Sequence, residues 1–223
     1  MGGPHPVSTR GEGLWVVVPV RSLSEGKTRL AGDLTPDERR QLTIRMLRHV
    51  ITAITGSGVA QRIVVVSGDP NALAVAVKAS EQVMPVAQPD HRPGLNNALD
   101  VARDVAVQHG AEQVMVLFAD LPLLTPDDLG VMADALEPGA MVIAADRHGQ
   151  GTNGLLLPLD AAGRAFSFQF GTVSAGKHRA EASGRGLRAV DVRTVGLGFD
   201  LDTGSDLAHY AREDIAELWG RGQ

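Results

Sequence analysis

The chain has no cysteine among its 223 residues. It can therefore build neither a disulfide framework nor a thiolate metal site, and a cytoplasmic home is the simplest expectation. It also lacks a surplus of positive charge. Its 21 basic and 26 acidic residues give a formal charge of −5, which argues against a protein that coats nucleic acid with a basic face. The longest apolar runs are far too short to span a bilayer, so no membrane partner is expected. Several catalytic signatures are missing as well. There is no Gly-x-Ser-x-Gly elbow, no His-Glu-x-x-His, and no serine or cysteine with an evident histidine partner. The seven histidines are scattered and read as mostly solvated, so hydrolysis through a covalent nucleophile is poorly supported. Residues 1–13 carry four glycines and two prolines without an apolar segment, and read as a loose amino-terminal extension and not a signal peptide.

What is present is an ordinary globular composition of a length that suits one large domain, residues 14–223. The organising stretch is Leu14 to Leu30, LWVVVPVRSLSEGKTRL. Its apolar, β-branched start suits a strand covered on both faces, with Pro19 placed at the end of the ladder where no N–H is needed. A turn carrying Arg21, Gly26, Lys27 and Arg29 comes next. Loops at the carboxyl ends of parallel strands bind ligands in open α/β sheets, and three cations there predict an anionic one, a nucleoside triphosphate being the simplest. The alternative is a solvated basic turn. Gly26-Lys27-Thr28 imitates a P-loop, but Arg21 stands where that motif requires glycine, and no Gly-x-Gly-x-x-Gly follows the strand.

Further along, Thr35-Pro36-Asp37-Glu38 and Thr125-Pro126-Asp127-Asp128 are helix starts of the cap-proline-acid kind. Leu42, Met46, Val50 and Ile54 mark the buried face of the first helix. Strands are expected at 62–66, 83–87, 114–118, 141–145, 155–157 and 188–192, alternating with helices near 71–80, 95–109 and after 203. Leu207, Tyr210 or Ala211, Ile215 and Leu218 give the last helix its apolar side. Residues 146–186 are glycine-rich and irregular. The whole predicts an α/β single domain with a mainly parallel sheet and helices on both faces.

Candidate chemistry falls on a few side chains. Asp120 closes the most apolar strand, where a carboxylate either holds a cation such as Mg²⁺ or caps the turn at Leu121-Pro122. Asp200 and Asp202, two residues apart, can face one side of an extended chain, and one of them could complete a metal site with Asp120. Asp202 could instead cap the last helix. Asn96 and Asn97 precede a helix and either cap it or meet a nucleotide. Thr152, Gly171 and Ser174, near Lys177, His178 and Arg179, make either a pocket for phosphate or carboxylate or a flexible surface loop.

Six ordered motifs then resemble one family: VPVRSLSEGKTRL (18–30), GLNNAL (94–99), ADLPLL (119–124), DRHGQGTN (146–153), FGTVSAGKH (170–178) and FDLDT (199–203). The chain resembles the 2-phospho-L-lactate or phosphoenolpyruvate guanylyltransferases of coenzyme F-420 biosynthesis, from about Trp15 to the last helix. The resemblance implies a GT-A-type nucleotidyltransferase fold, with Arg21, Lys27 and Arg29 facing the phosphates of GTP beside Asn96 and Asn97. It further implies Asp120 with Asp200 or Asp202 on a divalent metal, and Thr152, Gly171 and Ser174 against the acceptor's carboxylate and phosphate. Lys27, Arg29 and Asp120 would be catalytic. One departure touches the acceptor: Thr172 and Val173 stand where the family's motif is associated with a proline and an acid. Because a phosphate monoester is mostly dianionic at neutral pH, with a second pKa of about 6, such an acceptor needs no general base. The rivals are GMP transfer to a molybdopterin, CMP transfer to a sugar-like phosphate, and a non-catalytic nucleotide-binding regulator. A P-loop phosphohydrolase is the last of them. A homodimer stays open.

Overall fold

A computed structural model describes residues 13–24 and 26–212. Residues 1–12, and the Ile215 and Leu218 assigned to the last helix, lie outside them.

Seven strands form one sheet in the order β3-β2-β1-β4-β6-β5-β7. They are β1 (Leu14–Pro19), β2 (Arg62–Ser67), β3 (Val83–Ala87), β4 (Gln113–Leu117), β5 (Ala140–Ala145), β6 (Thr152–Pro158) and β7 (Arg188–Val192). Every pairing is parallel except those of β6, which runs antiparallel to β4 and β5. The mainly parallel sheet read from the sequence is thus present, with one reversed strand. Val20 N–H still donates to Val66 O, whereas the ladder to β4 ends at Val17. Pro19 therefore stands where its missing N–H breaks nothing.

Alternate strand residues go to opposite faces, and both faces are apolar. Leu14, Val16 and Val18 join one core with α1 (Pro36–Ser57), α2 (Pro70–Val77) and α4 (Pro126–Asp134). Trp15 and Val17 join a second core with α3 (Leu95–Gln108) and α6 (Ser174–Gly184). Both faces being covered is why the strands read as continuous apolar runs rather than alternating ones. The helix starts also obey local chemistry. Thr35 accepts from Glu38 N–H while the Glu38 carboxylate accepts from Thr35 N–H, and Thr125 with Asp128 repeats this box. Gly58, at φ +67°, ends α1.

Three expectations change. Residues 146–186 are not simply irregular: they hold β6, a short α5 (Ala161–Arg164) and α6. Helix α6 escaped because its buried positions are Ser174, Ala175, His178 and Ala182, helically spaced but small or polar instead of aliphatic. A one-turn α7 (Val195–Gly198) precedes the last helix, α8 (Gly204–Arg212). Asn96 and Asn97 do not precede α3 but lie in its first turn, with Gly94 as its cap.

A third, small cluster joins segments far apart in the chain. Leu30, Leu42 and Met46 pack with Phe199, Leu201 and Tyr210. It ties the basic turn after β1 to the segment before α8, and Leu30 is fully buried in it. Leu30→Ala should cost about 2–5 kcal/mol, as large-to-small core changes do. The expected readout is a lower denaturant midpoint, with faster amide exchange at Leu201, whose N–H donates to Asp120 O at 3.1 Å.

Candidate active site

The sheet order reverses between β1 and β4: the chain leaves β1 toward β2 on one side and reaches β4 on the other. Ligands of open α/β sheets bind at such a switch point, outside the carboxyl ends of the strands. The loop after β1 presents Lys27 there, and the residues after β4 present Asp120. The segment before α8 adds Asp200 and Asp202.

Their geometry is close. Lys27 Nζ donates to Asp120 Oδ2 and to Asp202 Oδ1, each at 2.7 Å. Burial alone would lower the pKa of this ammonium, but the two carboxylates outweigh that and hold it above its ordinary value. Asp200 has the opposite problem. Burial raises its pKa, and the charges of Asp120 and Asp202 raise it further, while Asn153 offers one long hydrogen bond of 3.4 Å. Three carboxylates thus gather around one buried ammonium that bonds only two of them, with Arg29 at 4.0 Å from Asp202 and largely exposed. The balance is negative, and it suits an additional cation at Asp200. Among the described residues, however, no three acids or histidines surround one common point, and the Lys27 ammonium sits between two of the acids.

Local chemistry sets these positions. The Asp69 carboxylate caps α2 through Asn71 N–H and also accepts from Leu23 N–H at 2.9 Å, pinning the β1 loop to the β2 loop. Lys27 itself sits at φ +54°, in the left-handed region, so its side chain is aimed by a conformation that non-glycine residues rarely adopt. Asp202 is not the cap of α8. Thr203 fills that place, and the buried Asp206 accepts from the backbone N–H groups of Thr203 and Asp202. This leaves the Asp202 carboxylate free for Lys27. The Asp120 carboxylate likewise turns to Lys27, while its main-chain oxygen takes Leu201 N–H.

The reversed strand β6 brings its first residues, Thr152 and Asn153, to this same end of the sheet. Buried Asn153 donates to Leu197 O at 3.0 Å and reaches Asp200. The turn before it is built by Asp146, whose carboxylate accepts from His148, Gln150 and Gly151 N–H. Gly151 leaves room for that carboxylate, since an added Cβ would fall 2.7 Å from Asp146 Oδ2. Ser174 opens α6 and donates to Thr152 Oγ1 at 3.2 Å. Gly171 (φ +124°) and Val173 (φ +50°) are exposed beside it. The expectation of solvated histidines fails at His178, which is fully buried between these elements.

The remaining sequence candidates divide. Arg21 is exposed at the start of the basic turn. Asn96 spends its amide on the backbone of Phe170, accepting from its N–H at 2.9 Å and donating to its oxygen at 3.3 Å. Asn97 donates to Pro93 O at 2.7 Å. Arg179 pairs with Asp191 at 2.5 Å on the surface. The reading of the sequence did not single out Asn153, Asp69 or Asp206. For Asp206 a signal existed, since Thr203-Gly204-Ser205-Asp206 is a capping-box pattern. For Asn153 there was none.

A family model described as "Guanylyl transferase CofC like" matches residues 14–211. The phosphoenolpyruvate guanylyltransferase of Sphaerobacter thermophilus is 40% identical over 196 residues, spanning 87% of this chain and 91% of that protein. The enzyme of the same name from Chloroflexus aurantiacus is 40% identical over 201 residues, spanning 88% and 94%. Among solved structures, a putative nucleotide-diphospho-sugar transferase from Desulfovibrio desulfuricans G20 superposes with a TM-score of 0.72 over 95% of this chain and 91% of that one. At 17% identity it speaks for the fold alone.

An acid whose folded-state pKa is raised binds more protons folded than unfolded just above its ordinary value of 3.8, so stability falls as pH rises through that window. At neutral pH the loss is complete. Asp200→Asn should therefore melt higher than the parent in EDTA at neutral pH, the gain fading below pH 3.8. Millimolar Mg²⁺ should then raise the parent's melting temperature more than the variant's, as calorimetry would show.

Proposed function

The chain belongs to the CofC-like guanylyl transferase family, and on that premise we propose that it transfers GMP from GTP to the phosphate of phosphoenolpyruvate and releases pyrophosphate. The naming of its relatives supports phosphoenolpyruvate as the acceptor over 2-phospho-L-lactate or 3-phosphoglycerate. Under this reading the product feeds coenzyme F-420 biosynthesis. The single observation that carries the reading is the convergence of Lys27, Asp120, Asp200 and Asp202 at the β1–β4 switch point.

The bonds balance without a protein base. A phosphate oxygen of the acceptor, already mostly unprotonated, forms a bond to the α-phosphorus of GTP. The bond from that phosphorus to the bridging oxygen breaks, and the electron pair leaves with pyrophosphate. Catalysis then rests on alignment and charge neutralisation. Arg21 and Arg29, both exposed on the basic turn, meet the phosphates. Lys27 holds Asp120 and Asp202 at a fixed separation and lends its charge to the leaving group. Thr152, Gly171 and Ser174 take the acceptor. Asn96, rather than touching the nucleotide through its bonded amide, holds the Phe170 backbone that leads into Gly171.

The charge of the donor set favours a divalent metal, since three carboxylates outnumber the one ammonium among them. Asp120 with Asp200 or Asp202 would hold Mg²⁺, which neutralises triphosphate charge when bound. The cytoplasm is the proposed setting, because both substrates are multiply charged and do not cross bilayers unaided. Among the described residues no helix is long and apolar enough to cross a membrane.

A pyrophosphate-release assay with GTP, Mg²⁺ and each of the three acceptors tests the reaction. Phosphoenolpyruvate should give the highest kcat/KM, and Asp120→Asn should lower kcat by about 10²-fold or more while the fold persists. No turnover with any acceptor, despite GTP binding, would favour a regulator over an enzyme.

A further inference from the structure

His178 is the one histidine among the described residues that is fully sealed, and its two ring nitrogens bond to different pieces of the acceptor side. Gln169 N–H donates to His178 Nε2 at 3.0 Å. A backbone N–H can only donate, so Nε2 must be bare. His178 Nδ1 lies 3.0 Å from Thr152 Oγ1. In a neutral ring Nδ1 then carries the proton and donates to that hydroxyl oxygen. The surroundings keep the ring neutral. Burial pushes its pKa down to about 4, with Lys177 adding to the drop and Glu181 opposing it. Phe166 and Phe170 flank the ring, the latter edge-on at 4.5 Å between centroids.

The proton count continues at the next bond. Thr152 and Ser174 share one hydroxyl-to-hydroxyl hydrogen bond of 3.2 Å. The pair owns two hydroxyl protons, and that bond consumes one. Because Nδ1–H already donates to Thr152, the second proton cannot turn back toward the histidine. It is left for whatever lies in front of the pair. We infer that His178 is a positioning residue that fixes the Thr152–Ser174 pair as a net hydrogen-bond donor, selecting a fully ionised oxyanion of the acceptor. The inference rests on the reading that Thr152 and Ser174 meet the acceptor. It goes beyond that reading by giving the pair a direction and by assigning its cause to a residue that does not touch the substrate. By its other nitrogen the same ring holds Gln169, and with it the backbone running into Gly171.

The test uses the wild-type protein first. In ¹⁵N-histidine-labelled enzyme, two-bond nitrogen–proton correlations should show His178 protonated at Nδ1 and bare at Nε2 near neutral pH. An Nε2–H tautomer or a doubly protonated ring would overturn the inference. The second arm is kinetic. His178→Phe removes both bonds but keeps the ring shape, and should raise KM for phosphoenolpyruvate by about tenfold or more, the loss expected for a hydrogen bond to a charged group. KM for GTP and kcat should stay within about twofold. His178→Asn, which keeps an N–H near the Nδ1 position, should recover most of the acceptor KM. A folded His178→Phe enzyme with the parent's acceptor KM would also overturn the inference. Should His178→Phe not fold, the tautomer still decides. If the parent enzyme gives no transfer to phosphoenolpyruvate, the functional reading falls, while the tautomer assignment is judged on its own spectrum.

Discussion

One ammonium between two carboxylates holds this site together. At 2.7 Å each contact is worth roughly 6 kcal/mol of attraction with an effective dielectric of about 20. Desolvating a buried charge costs several kcal/mol per ion, so the net gain in stability is small. What the arrangement provides is geometry. Lys27 arrives from the loop after β1, Asp120 from the end of β4 and Asp202 from the segment before α8. A single backbone bond, from Leu201 N–H to Asp120 O, joins two of these segments here, and the shared ammonium ties in the third. Asp200, left outside that bond, carries the unbalanced charge that makes the group receptive to a cation.

The strain in the backbone points to the same place. Lys27 and Val173 are the only non-glycine residues with positive φ among those described. Each costs on the order of 1–3 kcal/mol, and a β-branched valine is the less comfortable of the two. One stands in the turn after β1 and the other at the start of α6. Val173 also occupies a position where the family pattern is associated with an acid. Its exposed apolar side chain carries no charge where an acid would carry one.

Much of the fold was legible because its signals are local. The β-branched runs at Leu14–Val18 and Ile63–Val66, the two Thr-Pro-Asp helix starts and the stop at Gly58 each act within a few residues. That Asp120, Asp202 and Lys27 lie near one another was legible only through motifs, since the two acids stand 93 and 175 residues from the lysine, and their direct ion pairs were not legible at all. Helix α6 and the buried His178 were not legible. Their burial is created by partners distant in sequence, Phe166, Phe170 and Thr152, and no aliphatic stripe announces it. Asn96 and Asn97 misled for a related reason. Asparagine before a helix suggests a cap, but Gly94 takes that role and Asn96 reaches across to Phe170.

The small cluster around Leu30 has an evolutionary consequence. Leu30 belongs to the cationic turn, and Phe199 and Leu201 alternate with Asp200 and Asp202 along one short segment, yet all three side chains share a single knot with Leu42, Met46 and Tyr210. The two banks of the site are thus moored to one post. Drift in either bank must be answered in the other, so Leu30, Phe199 and Leu201 are expected to vary as a coordinated set across relatives.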